Sequence, residues 1–200
     1  MQRFLNRPSL LRIMVAAVFA AGGCVAQEPS NDELARLLAA PTSRDTAINA
    51  LRNSASDRIP LLLSWTTATP RGLGISQEEL YIGLADAFGA LKVSSAIPFL
   101  IKYIGLMRSM TRPNIWWKSE EAISSEFPAV HALIQMGTVA SKAIVNTSWV
   151  GRSNGDRLCA LFVLAQIADP DTRDFVTTAS RQAELQQYWA SEGLRRMDKK

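Results

Sequence analysis

Ala87-Phe88-Gly89-Ala90-Leu91-Lys92-Val93-Ser94-Ser95-Ala96-Ile97-Pro98-Phe99-Leu100 is the stretch that decides how the chain is read. It starts on a small residue followed by a large apolar one, breaks over a few small or polar residues, and restarts on apolar residues with a proline. Residues 132–145 (ALIQMGTVASKAIV) and 163–176 (VLAQIADPDTRDFV) repeat it, and residues 50–62 (ALRNSASDRIPLL) form a fainter copy, one residue shorter. The starting residues Ala50, Ala87, Ala132 and Val163 lie 37, 45 and 31 positions apart. A period of about 20–50 residues marks stacked supersecondary units, each too small to hide its own apolar face. Stacked helix pairs present surface to partners and do not by themselves build a catalytic site.

Local patterning agrees with helices. Leu80, Leu84, Ala87, Phe88 and Leu91 fall at i, i+4, i+7, i+8 and i+11, and Ile97, Leu100, Ile101 and Ile104 line the next helix. No segment alternates with period two for long. The closest, Ile144 to Val150, is assigned to a helix by its place in the repeat. Ser30-Asn31-Asp32-Glu33 is a capping box, and Thr42-x-x-Asp45 and Ser76-x-x-Glu79 are similar starts. Ser153, Asn154 and Asp156 can cap the helix that holds Leu158, Leu161, Leu164 and Ala165. Phe127-Pro128 places proline at a first helical position. The spacing predicts a lead-in helix over 31–39 and helix pairs over 44–65, 78–106, 120–150 and 156–180. A closing helix over 181–197 is expected to turn Tyr188, Trp189 and Leu194 inward. A polar loop spans Thr66 to Ile75, and an insertion spans Arg108 to Ser119.

These residues resemble HEAT repeats, specifically the short bacterial type also found in phycobilin lyases. That type has a small residue and Leu, a Gly or Asp-Pro turn, then Val/Ile-Pro-x-Leu. Asp169-Pro170-Asp171 matches the turn, Gly137 marks the turn of the third unit, and Ile97-Pro98 opens a second helix. The resemblance covers most of residues 44–180 and implies an all-α fold: a short right-handed α-solenoid of about four HEAT-like helix pairs. The unequal periods and weak first unit depart from the family pattern. The resemblance specifies fold and says little of function, since such arrays serve many unrelated tasks.

The N-terminus reads as a leader. Arg3, Arg7 and Arg12 precede the uncharged apolar run Ile13 to Ala21, too short to cross a bilayer and of the length of a signal h-region. Ala21-Gly22-Gly23-Cys24 resembles a bacterial lipoprotein box, with Ala21 where Leu is usual, so that lipidation of Cys24 would accompany cleavage after Gly23. Ordinary signal cleavage after Ala26 is the other option. Residues 1–26 are therefore read as signal peptide and 27–200 as the repeat domain. Removing the three leader arginines from 22 basic residues leaves 19 against 18 acidic. A net charge of +1 gives no reason to expect nucleic acid. Cys159 is then the only thiol, so no internal disulfide forms.

Chemistry is sparse. Gly151-Arg152-Ser153-Asn154-Gly155 matches G-x-S-x-G, but the only histidine, His131, precedes it, and a nucleophile elbow needs a strand before and a later histidine. An inter-helix turn capped by Ser153 or Asn154 fits better. Cys159 and His131 sit in successive first helices and would form a thiol dyad only if brought together; the apolar context of Cys159 favours a core residue. One His and one Cys make no zinc site, and Asp169, Asp171 and Asp174 lack calcium-loop spacing. No catalytic residue, metal or cofactor is expected. The insertion carries Arg112, Ile115, Trp116, Trp117 and Lys118, residue types that favour protein interfaces, set against the plainer role of covering core. The expectation is a non-catalytic exported scaffold in the bacterial envelope, periplasmic or tethered through Cys24. It would bind a protein partner, with no nucleic acid and no membrane contact beyond the lipid anchor. The alternatives are a lyase-like or tetrapyrrole-handling protein on the same repeat, or a structural part of an envelope assembly.

Overall fold

Serines open four of the helices. The hydroxyls of Ser30, Ser76, Ser119 and Ser153 accept from the backbone N–H groups of Glu33, Glu79, Ala122 and Asp156 at 3.3, 3.5, 3.2 and 3.0 Å. Each satisfies a donor that has no partner within the helix. The computed structural model describes residues 28–108, 119–179, 181 and 184–199. Among these the chain is all-helical, with eleven α-helices and no strand. They are α1 (Asn31–Ala39), α2 (Arg44–Asn53), α3 (Ala55–Trp65), α4 (Gln77–Ala90), α5 (Ile97–Lys102) and α6 (Glu120–Glu126), followed by α7 (Pro128–Met136), α8 (Thr138–Val145), α9 (Asn154–Ile167), α10 (Arg173–Ala179) and α11 (Glu184–Met197). No helix among the described residues is long and apolar enough to cross a membrane.

The packing is serial. Helix α1 lies on α4, α4 on α7, α7 on α9, and α9 on α11. Other helices lie beside this row: α2 on α4, α5 on α7 and α8, α8 on α9, and α10 on α11. Small residues set the closest approaches. A Cβ on Gly83 would collide with the Leu38 carbonyl, and one on Gly89 would stand 2.8 Å from the Ala132 Cα. On α11, a Gly193 Cβ would come within 3.2 Å of the Ala165 Cα. Between these contacts the large side chains fill the space. Leu38, Leu84, Phe88, Leu133, Phe162 and Leu164 are wholly shut from solvent, and the Trp189 ring meets Phe162 edge-on at 4.7 Å between centroids. At about 25 cal/mol per Å² of apolar surface removed from water, this row dominates stability.

The repeat is more exact one residue after its starting positions. Leu51, Phe88, Leu133 and Leu164 are all buried. Ala50 itself is only half-buried, and the small residue that α2 turns inward is Ala47. Other expectations are corrected. Thr42 does not cap α2; Ser43 precedes that helix and makes no side-chain cap. Residues 120–150 hold three helices instead of a pair, because Phe127 is extended and Pro128 restarts the chain as α7. Helix α8 stops at Val145, and Asn146–Val150 is turn and coil, because the Thr147 and Trp149 side chains bond back to the Ala143 and Ile144 carbonyls. Tyr188 is exposed while Trp189 is buried, since adjacent residues on a helix point about 100° apart. The expected turns at Gly137, with φ +64°, and at Asp169-Pro170 are present. Asp169 is buried; its carboxylate accepts from the Ser141 hydroxyl at 2.6 Å and from the Asp171 N–H at 3.1 Å, tying α8 to the turn before α10.

Candidate functional site

The insertion residues Arg112, Ile115, Trp116, Trp117 and Lys118 lie outside the described residues, as does Cys24. Arg108, the first residue of the insertion, and Glu120, the residue after it, are described, and both are clamped. Arg108 donates through Nη1 to Asp86 Oδ2 at 2.8 Å, through Nη2 to Asp86 Oδ1, and through Nε to the Ser125 carbonyl at 2.8 Å. Its backbone N–H donates to the Glu126 carbonyl at 2.9 Å. On the far side, Glu120 accepts from Arg196 Nη2, while Arg196 Nε donates to Glu192 at 2.6 Å and Nη1 to Gln166 Oε1 at 2.9 Å. Planar guanidinium groups suit this work because one fork reaches several acceptors at once.

Asp86 has a second arginine. Arg44, buried at the start of α2, sets Nη1 3.5 Å from Asp86 Oδ2, donates through Nη2 to Glu79 at 3.0 Å, and through Nε to the Leu38 carbonyl at 2.9 Å. One carboxylate on α4 thus joins α2, α4 and the stem of the insertion. A buried arginine is tolerable only with such pairing.

Two grooves run over these clamps. The first, of about 560 Å³, includes Arg44, Asn49, Arg52, Asp86 and Gln135; the second, of about 620 Å³, includes Glu120, Glu121, Ser124, Ile134 and Gln166. Arg108 and His131 line both. His131 is exposed and meets the Gln135 amide at 2.7 Å, one helical turn away. Arg52 bonds only Asn49 among the described residues and leaves its charge available to a partner.

The other candidates are not assembled into a site. Cys159 is fully buried, and removal from water, with a smaller push from the Asp156 carboxylate, holds its thiol pKa well above the ordinary value. His131 faces the groove, and Cys159 faces the core. Ser153 serves as the cap of α9. Among the described residues no three His, Cys, Asp or Glu side chains converge as a metal site would need.

The groove has no signature in the sequence. Arg44, Asp86, Arg108 and Arg196 come from four distant positions. Only the pairing of an arginine with a carboxylate in space gives them meaning, and linear spacing carries no signal for it. No family model, curated protein or solved structure was found to match the chain.

Proposed function

We propose that this chain is an exported, non-catalytic scaffold of HEAT-like helix pairs, a short right-handed solenoid, which holds a protein partner in the bacterial envelope. The observation that carries the reading is that Arg108 and Glu120, which flank segment 109–118 and Ser119, both line one groove. The described residues that flank segment 109–118 thus stand at that groove, and the segment supplies two tryptophans for a partner. The serial row α1, α4, α7, α9 and α11 supports the solenoid reading. The arginine–carboxylate clamps hold the flanking residues Arg108 and Glu120, and binding residues concentrate on connections that a rigid base presents. Binding would bury Trp116 and Trp117 at its centre, with Arg52, Arg112 and Lys118 around them, the usual division between aromatic core and charged rim.

The test is affinity capture from envelope extracts with the full chain, comparing wild type, W116A/W117A and R52E by quantitative mass spectrometry. The same protein should be depleted at least about tenfold by the double tryptophan variant and more modestly by R52E, with helical circular dichroism unchanged. Retention of that protein by both variants would refute the assignment of the loop and groove. The mass of the mature N-terminus separates a lipidated Cys24 from simple cleavage after Ala26.

A further inference from the structure

A second concavity lies away from the groove, between the turn after α8 and helices α9, α10 and α11. It measures about 410 Å³, within the roughly 300–1,000 Å³ of small-molecule sites. Trp149, Leu161, Phe175 and Ala179 give it apolar walls, and Val150, 90% exposed, stands at its edge. Two of the polar side chains that line it are incompletely satisfied. Arg157 donates through Nη2 to the Trp149 carbonyl at 3.3 Å, but its Nε–H is sealed from solvent without an acceptor, and it forms no ion pair among the described residues. Gln186 is 95% buried, and its Oε1 has no donor among the described residues. No Asp or Glu among the described residues lines the pocket.

An arginine without a counter-ion in an apolar lining that holds no described carboxylate suits one kind of guest. A guanidinium held against apolar walls without a counter-ion is costly, and an anion that brings its own apolar body removes the cost. Arg157 is half-buried, and beyond its sealed Nε–H it has further guanidinium N–H groups to offer a guest. Trp149 and Phe175 supply faces for the rest of the molecule. The contrast with Arg44 is direct: that arginine is buried, and it has two carboxylates and a carbonyl of its own.

We infer that this pocket binds a small carboxylate with an apolar body of medium-chain fatty-acid size, its head held by Arg157 and its body between Trp149 and Phe175. The site is independent of the protein-binding groove. Isothermal titration calorimetry of the full chain with decanoate, decanol and acetate tests it. Decanoate should bind saturably, about tenfold or more tighter than decanol, and acetate should not bind measurably. R157M should remove most of the preference for decanoate over decanol. V150D, a change at an exposed position that spares the core, should weaken decanoate by placing a like charge at the entrance. Absence of saturable decanoate binding, or equal affinity for decanoate and decanol in wild type, would overturn the assignment. So would decanoate affinity unchanged in folded R157M. Should R157M fail to fold, the wild-type comparison and V150D decide.

Discussion

Arg44 at the start of α2 is buried and Arg157 near the start of α9 is half-buried, and the two ends of the molecule treat them differently. Around Arg44 every direction is answered: Leu38 offers a carbonyl, Glu79 and Asp86 offer carboxylates, and Asp86 in turn holds Arg108. Around Arg157 there is one long hydrogen bond to a carbonyl and an apolar hollow. The first arrangement is structural, since its polar groups satisfy one another and leave nothing for a ligand. The second leaves buried polar atoms unmet, which a stable fold ordinarily avoids. The same residue type thus marks a joint in one region and an opening for chemistry in the other.

The largest expected effect tests what both regions share, the serial apolar row. Leu164 is wholly buried where α9 meets its neighbours, and a charge there has no partner. Leu164→Asp should abolish cooperative thermal unfolding, and Leu164→Ala should cost about 2–5 kcal/mol in urea denaturation. A Leu164→Asp protein that melts like wild type would mean the row does not hold the chain together, and the contrast between its two ends would lose its frame.

The next effect separates the arginines directly. Asp86→Ala strips Arg44 of one carboxylate, and Arg108 of the only one it meets among the described residues. It should cost about 2–3 kcal/mol, below the roughly 3–5 of a fully buried pair because Glu79 still faces Arg44. Arg157→Met breaks no ion pair among the described residues and fills the same space with an apolar stem, so it should change stability by less than about 1 kcal/mol. Urea midpoints of the two variants measure the difference. Equal losses would make Arg157 a structural residue and erase the distinction.

This contrast also explains what the sequence could and could not tell. Helix starts are local, so Ser30, Ser76 and Ser153 announce them, and the proline at 128 and the Asp169-Pro170 turn do the same. The helical faces around Leu84, Leu133 and Leu164 are legible from spacing alone. Where two neighbours compete for one face, spacing misleads: Ala50 stood for Ala47, and Tyr188 joined Trp189 on the inside. The break of residues 120–150 into three helices was written in Phe127-Pro128, but the repeat pattern masked it. The sites themselves were beyond reach. Asp86 finds Arg44 and Arg108 across 42 and 22 residues of chain, and the hollow beside Arg157 is made by four elements whose apolar residues look like any others. A missing partner leaves no trace in a linear pattern.

The smallest effect concerns a third arginine cluster, at the C-terminal end, and shows which side of the contrast it falls on. Glu192 accepts from Arg195 Nε at 2.7 Å and Arg196 Nε at 2.6 Å. The Arg195 hydrogen bonds, joined by those of Arg196 and by both positive charges, overcome its partial burial and bring its pKa from the ordinary 4.5 down to about 2. A carboxylate with a folded-state pKa below its unfolded value stabilises fully above the unfolded value and loses that contribution as pH falls through the folded one. Wild type should therefore exceed Glu192→Gln in stability by about 1–2 kcal/mol at neutral pH, allowing for solvent screening of a surface-edge pair. The difference should shrink as pH falls from about 4.5 and vanish only below about 2. Urea midpoints of the two proteins across that range measure it. A gap that closes in this window places the Arg196 clamp with Arg44, as a joint whose charges are matched. A gap that persists unchanged below about 2 would trace the loss to packing of the α11 side chain, and the matched-charge account of the insertion's far root would fail with it.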